Sequence, residues 1–188
     1  MDTAARNSQF LDADLFLRTD QSEFGSAWRY ELVRGTIVAH AAPSPEHGII
    51  LGNLAREIGD RLRDHGECWP EIGSGAVPQY EQRDTARIPD AMIRCGKHPR
   101  VVFEVVSPSE LRHKRRWDQK RADLQAVEGV QEIIEIYQDE MLARAYRRRD
   151  AGWEFESISG PEAELALPSA GITIPLAALY ERVTLETE

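Results

Sequence analysis

The sequence predicts an α/β fold, in which a mixed β-sheet is flanked by helices and followed by additional C-terminal strands. The strongest observation is the order of the hydrophobic patterns, which runs strands, helix, strands, helix, strands. The chain has 188 residues, enough for one domain with a sizeable core. Its 41% hydrophobic and 29% charged residues are typical of globular proteins and exclude a disordered or fibrous chain.

The first elements are short. We expect residues 1–25 to form a polar lead-in with a brief helix over Leu11–Leu17. The segment Tyr30–Ala39 has the pattern of two strands joined by a tight turn, in which Gly35 can adopt a positive φ.

A long amphipathic helix follows. Ser44 can cap it, Pro45 suits its first position, and Glu46 favours the positive end of the helix dipole. Apolar residues recur every four positions on one face, namely Ile50, Leu54, Ile58 and Leu62. Gly66 is expected to stop the helix.

The central part of the chain predicts two strands and a helix. After an extended stretch over 67–82, Ile88–Ile93 forms a short strand entered through a proline. Val101–Val106 is apolar on both faces, as a covered central strand would be. Ser107-Pro108-Ser109 ends this strand and can cap a helix running to about Glu128.

The C-terminal part is predicted to be mainly β. Its expected elements are strands at Val130–Tyr137, Met141–Tyr146, Trp153–Ile158 and Ile172–Ile174, and a final helix from Pro175 to about Arg182.

Several classes of protein are excluded or disfavoured. No apolar stretch is long enough to cross a bilayer, and the N-terminus lacks the pattern of a signal peptide, so we expect no membrane association. Cys68 and Cys95 lack CxxC spacing, which disfavours a zinc knuckle. Two reduced thiols in a cytoplasmic protein are therefore expected.

Two carboxylates stand out. Glu104 lies inside an apolar strand, where a charge is costly unless it is paired, protonated or bound to a cation. A buried ion pair with an arginine is an equally good interpretation of Glu104 alone. Asp90 follows Pro89 on the preceding strand, and adjacent strands lie about 5 Å apart, so both carboxylates can share one divalent ion. Mg²⁺ fits such oxygen ligands, with the carbonyl of Val105 as a third.

Lys120 is the third candidate. Trp117, Leu124 and Val127 form an apolar stripe on the predicted helix, and Lys120 interrupts it. Its ammonium group either extends past the core to solvent or reaches a buried anionic site.

A basic stretch surrounds Lys120. Arg112–Arg121 contains six lysines and arginines against one aspartate, in a chain of net charge −9. Such a run is usually a solvated helix face, but it could also face phosphates. The net charge argues against non-specific nucleic-acid binding by the whole surface.

These motifs together resemble a known family. Pro89-Asp90, followed by a strand with Glu104 in an E-V-x-S-P-S context, is similar to the PD-(D/E)XK nuclease superfamily, and within it to the Uma-type family of restriction-endonuclease-like proteins. Further matching fragments are Tyr30-Glu31-Leu32-Val33 with Gly35, Ser44-Pro45-Glu46-His47, and Leu167-Pro168-Ser169 with Gly171 and Pro175-Leu176. Each fragment is weak alone, but their order and spacing are fairly specific.

The resemblance implies a restriction-endonuclease-like domain over residues 26–188 that cuts DNA with Mg²⁺, for which Mn²⁺ can substitute. The implied catalytic residues are Asp90, Glu104, Lys120 and Glu31, with the metal on Asp90, Glu104 and Val105. The implied substrate-binding residues are His47, Arg112, Lys114, Arg115, Arg116 and Arg121. The resemblance is compatible with a homodimer, because the cutting of both strands often uses two sites.

The sequence also departs from the family pattern. The superfamily lysine usually lies two residues after the acidic residue, where this chain has Val106, and Thr36 replaces an acidic residue after the tight turn. Glu31 also fits an ordinary strand-edge charge, and His47 an ordinary helix-surface histidine. The Val106 departure and the acidic surface support an alternative, a catalytically inactive nuclease-fold protein that serves as a binding or assembly module. The two functions differ in whether Asp90, Glu104 and Lys120 converge on one cavity.

Overall fold

The computed structural model describes residues 12–64 and 66–185, so Leu11, the rest of the expected lead-in before it and the last three residues lie outside the described part. The first described elements are a short helix α1 (Ala13–Arg18), a 3-10 turn (Gln21–Phe24), a hairpin of β1 (Arg29–Val33) and β2 (Thr36–His40), and a long helix α2 (Pro45–Leu62). As predicted, Gly35 has a positive φ of 71° in the hairpin turn. Ser44 caps α2 by accepting a hydrogen bond from the His47 N–H.

A six-stranded sheet forms the centre of the protein. Its strands are β3 (Cys68–Ile72), β4 (Ala91–Cys95), β5 (His98–Val106), β6 (Glu132–Tyr137), β7 (Leu142–Arg149) and β8 (Gly152–Ser159). They lie side by side in the order in which they occur along the chain. β5 and β6 are parallel and the other neighbours are antiparallel, which confirms the mixed sheet predicted from sequence.

The connection between β5 and β6 differs from the single helix predicted from Ser109 to Glu128. It consists of a one-turn helix α3 (Pro108–Leu111) and a separate helix α4 (Lys114–Gln125). Ser107 is the N-cap, because its hydroxyl accepts from the Glu110 N–H while the Glu110 carboxylate accepts from the Ser107 N–H. This capping box stabilises the start of the one-turn helix α3. The second helix, α4, begins after His113.

The C-terminal region contains a second hairpin. β9 (Glu164–Leu167) pairs with β10 (Ile172–Pro175), and the last helix α5 (Leu176–Leu179) is shorter than predicted. β9 was not expected, because its four residues provide only two buried positions and a weak alternating pattern. No helix in the described part of the chain is long and apolar enough to span a bilayer.

Two apolar layers cover the central sheet. On one face, α2 buries the four apolar residues predicted from its sequence against β4, β5, β6 and the C-terminal elements. On the opposite face, Leu124 of α4 packs with Met92, Val102 and Ile133. Because strand residues alternate between faces, Glu104 shares the face of Val102 and lies under α4. A third cluster joins Ala13 and Phe16 to the β1–β2 hairpin.

The two cysteines are not free. Cys68 and Cys95 are directly opposite each other in the β3–β4 ladder and form a disulfide, so the expectation of two reduced thiols is wrong. The spacing of two cysteines in the sequence indicates a metal motif only within one segment, whereas the pairing of two strands brings distant cysteines together.

The disulfide should stabilise the oxidised protein. It closes a loop with a sequence separation of 27 residues, so we expect Cys95→Ser to lower the free energy of unfolding by about 3 kcal/mol. Urea unfolding of the wild type and the variant, each with and without dithiothreitol, measures this. An equal difference in both conditions would assign the effect to packing of the Cys95 side chain instead.

Candidate active site

Asp90 immediately precedes β4, and its side chain contacts the neighbouring strand β5. Its Oδ2 accepts a hydrogen bond of 2.8 Å from the Val105 N–H, and its Oδ1 accepts one of 2.8 Å from the Arg29 guanidinium. His47 Nε2, from the first turn of α2, lies 3.5 Å from the same Oδ1. The strand expected over Ile88–Ile93 begins only at Ala91. The ladder between β4 and β5 therefore ends next to Asp90, whose carboxylate takes the place of a backbone partner for Val105.

Glu104 and Lys120 meet between the sheet and α4. The Lys120 Nζ lies 2.7 Å from Glu104 Oε1 and 3.4 Å from Glu31 Oε1. All three side chains are buried. Of the two alternatives considered for Lys120, the structure shows the ammonium in a buried anionic site. Trp117 and Leu124 lie beside it on the buried face of α4, as predicted from their spacing.

A second layer of charges holds Glu31 in place. Arg87 donates hydrogen bonds of 2.9 Å to Glu31 and of 2.6 and 2.9 Å to Asp123. The Ile88 N–H donates to the other Glu31 oxygen, and His40 Nε2 lies 3.2 Å from Glu31 Oε2. Four residues of this cluster were not predicted from the sequence, namely Arg29, His40, Arg87 and Asp123. Of these, only Asp123 had a usable signal, because it follows Lys120 by three residues and so shares its helix face.

Burial and the surrounding charges lower the pKa values of Glu31 and Asp90 and raise that of Glu104. Burial opposes ionisation of Glu31, but Lys120, His40 and Arg87 outweigh it and hold its pKa well below the usual range. Burial also opposes ionisation of Asp90, and its pKa is nevertheless lowered by His47, Arg29 and Lys120. For Glu104, burial and the negative charges of Asp90 and Glu31 outweigh Lys120 and raise the pKa to about 8. Glu104 is thus the least well compensated carboxylate of the cluster.

The arrangement fits a divalent cation. The cluster holds four buried carboxylates, Glu31, Asp90, Glu104 and Asp123. They contact Arg29, Arg87 and Lys120, and Asp123 also contacts the exposed Arg34, but of these cations only Lys120 contacts Glu104. The buried Oε1 of Glu104 contacts Lys120 but accepts no hydrogen bond of good geometry from the described residues. An added cation would supply the missing compensation.

The third ligand would come from β5. The carbonyls of Arg100 and Val106 accept hydrogen bonds from the chain flanking β6. Backbone groups of successive strand residues point to opposite sides of the strand, so those of Val105 point away from β6 and towards Asp90. Among the described residues, no three His, Cys, Asp or Glu side chains are grouped to hold a metal ion by themselves. A metal set of Asp90, Glu104 and the Val105 carbonyl, which has only two such side chains, stays a prediction. To bind a cation through Oδ1, Asp90 would have to exchange its contact with Arg29.

Two cavities give access to the cluster. The larger, of about 1000 Å³, reaches Asp90, Arg29 and His47, and the smaller, of about 280 Å³, reaches Glu31 and Lys120. His40 and Glu110 line both cavities, and Glu104 is buried beneath them. A substrate in these cavities would contact side chains from three separate elements, namely Arg29 of β1, His47 of α2 and Lys120 of α4.

The basic stretch does not form one continuous surface. Arg112, Lys114, Arg115 and Arg116 are exposed, and of these Arg116 lines the smaller cavity. Arg121 lines neither cavity, because its guanidinium binds Glu135 and Asp118 and lies over the Tyr146 ring. The structure thus brings Asp90, Glu104, Lys120, Glu31 and His47 together and leaves Arg121 apart.

Acid should weaken the Glu31 interactions. Folding lowers the pKa of Glu31 below its ordinary value of 4.5. The ionised carboxylate therefore stabilises the protein at pH values above 4.5, and this stabilisation is lost progressively as the pH falls below 4.5. We therefore expect the free energy of unfolding of the wild type to fall between pH 5 and pH 3 (approximate limits) more steeply than that of Glu31→Gln. Urea unfolding across this range measures both slopes, with the exposed Glu162→Gln as the matched control. Equal slopes for Glu31→Gln and the wild type would contradict the electrostatic role of Glu31.

Comparisons with known proteins identify the family and the fold of this chain. The model of the Uma2 family, described as putative restriction endonuclease, matches residues 13–177. A crystal structure described as a putative nuclease from Anabaena variabilis superposes with a TM-score of 0.71 at 18% sequence identity, covering 93% of this chain and 99% of that one. At this identity the likeness shows the fold alone, which confirms the restriction-endonuclease-like architecture. No curated protein matches the chain. Since the family model spans most of its length, the chain belongs to the Uma2 family of putative restriction endonucleases.

Proposed function

We propose that this protein is a divalent-metal-dependent endonuclease that hydrolyses phosphodiester bonds in DNA. The observation that carries the proposal is the meeting of Asp90, Glu104 and Lys120 at one buried cluster beneath two cavities. Paired carboxylates and a lysine at the end of a sheet are suited to holding a cation and a phosphate side by side. Family membership supports the same reaction class.

The carboxylates and the lysine have separate roles in this proposal. Asp90, Glu104 and the Val105 carbonyl would hold Mg²⁺, with Mn²⁺ as a substitute. A divalent ion there polarises a phosphate oxygen and acidifies a water molecule. Lys120, fixed at 2.7 Å from Glu104, would place its positive charge against the negative charge that develops on the phosphate. The negative charges of Glu104 and, next to it, Glu31 outweigh burial and raise the pKa of Lys120, so both would keep the ammonium protonated.

The larger cavity would hold the rest of the reacting phosphate. Arg29 and His47 line it next to Asp90, and both can donate hydrogen bonds to non-bridging phosphate oxygens. The exposed residues Arg112, Lys114, Arg115 and Arg116 would contact flanking phosphates, which makes binding sensitive to salt. A homodimer would supply two such sites for the two strands of a duplex.

The test is a cleavage assay on supercoiled, linear and single-stranded DNA in Mg²⁺, Mn²⁺ or EDTA. We expect cutting by the wild type only with a divalent ion, and none by Glu104→Gln. Calorimetry should show that Glu104→Gln has lost Mn²⁺ binding, whereas the exposed Glu162→Gln retains it. Unchanged Mn²⁺ affinity in Glu104→Gln would remove this carboxylate from the metal site.

One observation favours a second function, that of a catalytically inactive binding or assembly module. The Arg29 guanidinium already bonds to Asp90 Oδ1, where a cation would bind. If this ion pair is permanent, Asp90 Oδ1 is not available to a metal. DNA binding by the wild type without Mn²⁺ binding or cleavage on any substrate would support this function.

A further inference from the structure

The strongest unexplained feature of the surface is Trp28. Its side chain is 68% exposed, more than that of any other large hydrophobic residue among those described. Within the described part of the chain, its indole forms no hydrogen bond or ring contact. It lines the larger cavity, the one that contains Asp90, and also a shallow neighbouring cavity along residues 39–42. An exposed indole at the entrance of the candidate active site is therefore available to a ligand.

The backbone around Trp28 is fixed. The Ala27 N–H donates a 2.9 Å hydrogen bond to the Tyr30 hydroxyl, which lies in a cluster with Phe24. Gly25 has a φ of 135°, and a Cβ there would lie only 2.6 Å from the same hydroxyl. On the other side, Arg29 is paired with His40 in the β1–β2 ladder. The indole is thus held near the cavity by anchors before and after it, which limits the entropy lost when it binds a ligand.

The surroundings of Trp28 indicate what it would bind. Arg29, the next residue, bonds to Asp90 and provides a cation for a phosphate. The same cavity also has apolar walls, Leu51 and Ile72, and two amide side chains, Gln21 and Gln138. A volume of about 1000 Å³ can hold a nucleotide, whose flat base and charged phosphate match an indole and a guanidinium.

We propose that Trp28 stacks on an unpaired nucleobase adjacent to the phosphate at Asp90. The preferred substrate is then DNA with an unstacked base, either a single strand or a nucleotide turned out of a duplex. In the interior of a duplex both faces of each base are covered by neighbouring bases, so away from the duplex ends an indole can stack only on a base that has left the helix. This inference rests on the proposed function, since it names the form of DNA that the same site accepts.

The experiment measures binding by fluorescence anisotropy in EDTA, so that no cleavage occurs. The labelled probes are a single-stranded oligonucleotide, a fully paired duplex, and a duplex with one unpaired nucleotide. We expect Trp28→Ala to bind the single strand about tenfold more weakly than the wild type, and Trp28→Phe to retain most of the affinity. Trp69→Ala is the matched control, because its indole is 43% exposed and lines none of the three cavities described above.

The duplex probes distinguish the two sources of an unstacked base. If the Trp28→Ala loss occurs for the single strand and also for the duplex with one unpaired nucleotide, the site accepts a nucleotide turned out of the helix. If it occurs for the single strand alone, single strands are the substrate form. Either result supports stacking.

Two results would overturn the inference. One is an unchanged single-strand affinity in Trp28→Ala, and the other is an equal loss on the fully paired duplex. If such a variant still shows metal-dependent cleavage, the nuclease proposal stands while the role of Trp28 fails. If the wild type neither binds nor cuts any probe, both proposals fail.

Discussion

Replacing Asp90 with asparagine is expected to abolish metal-dependent cleavage, with a loss in kcat of about 10³-fold or more. The change removes the negative charge that a divalent cation requires but keeps the shape of the side chain. The asparagine oxygen can still accept the hydrogen bond from the Val105 N–H, so the end of the β4–β5 ladder should remain intact. Initial rates on the best DNA substrate in saturating Mg²⁺, together with Mn²⁺ calorimetry, measure the effect.

The matched control is Asp150→Asn, which removes a charge from an exposed turn. Equal far-UV circular dichroism and thermal midpoints would show that Asp90→Asn is folded. An Asp90→Asn protein that cuts DNA at the wild-type rate would place the catalytic centre elsewhere. A variant that binds Mn²⁺ normally but does not cut would assign Asp90 to phosphate positioning through Arg29 instead of metal binding.

Replacing Lys120 with methionine is expected to lower the free energy of unfolding by about 3 kcal/mol. The methionine keeps most of the volume but leaves Glu104 and Glu31 buried without the cation between them. The cost should be smaller at low pH, where Glu104 can be protonated, and larger as pH rises through its pKa of about 8. Urea unfolding at pH 6 and pH 9 (approximate values) measures both the loss and its pH dependence.

Two further variants separate electrostatics from packing. Lys97→Met removes an exposed lysine and should change stability little. The double variant Lys120→Met with Glu104→Gln should recover part of the loss, because the uncompensated carboxylate is gone. Strictly additive effects of the two changes would mean that Lys120 and Glu104 do not interact energetically.

The sequence was informative where a charge interrupts an apolar pattern. Glu104 inside its strand and Lys120 inside the stripe of Trp117 and Leu124 both contradict their surroundings. A side chain that is costly to bury is kept there only with a partner, so these positions predicted a shared buried site. The long amphipathic helix α2 and the central strands were predicted for the related reason that their apolar faces are unambiguous.

The rest could not be predicted because its signals are not local. Arg29 and Arg87 look like surface residues in the sequence, and only the folding of the β1–β2 hairpin onto the chain before β4 turns them inward. The disulfide depends on the pairing of β3 with β4. The break between α3 and α4 lies at His113, whose backbone is not helical and whose side chain forms no capping hydrogen bond, so no capping residue marks it in the sequence.

The order of strands in the central sheet has a consequence for how the site assembles. Asp90, Glu104 and Lys120 belong to one uninterrupted run of chain, from the start of β4 through β5 to α4, whose elements are neighbours in space. Contacts within such a run close short loops and form early with little entropic cost. Arg29 precedes Asp90 by 61 residues, so it reaches this run of chain only when the β1–β2 hairpin docks. The ion pair between Arg29 and Asp90 would therefore form last, and opening of the hairpin would expose the carboxylate again without unfolding the sheet.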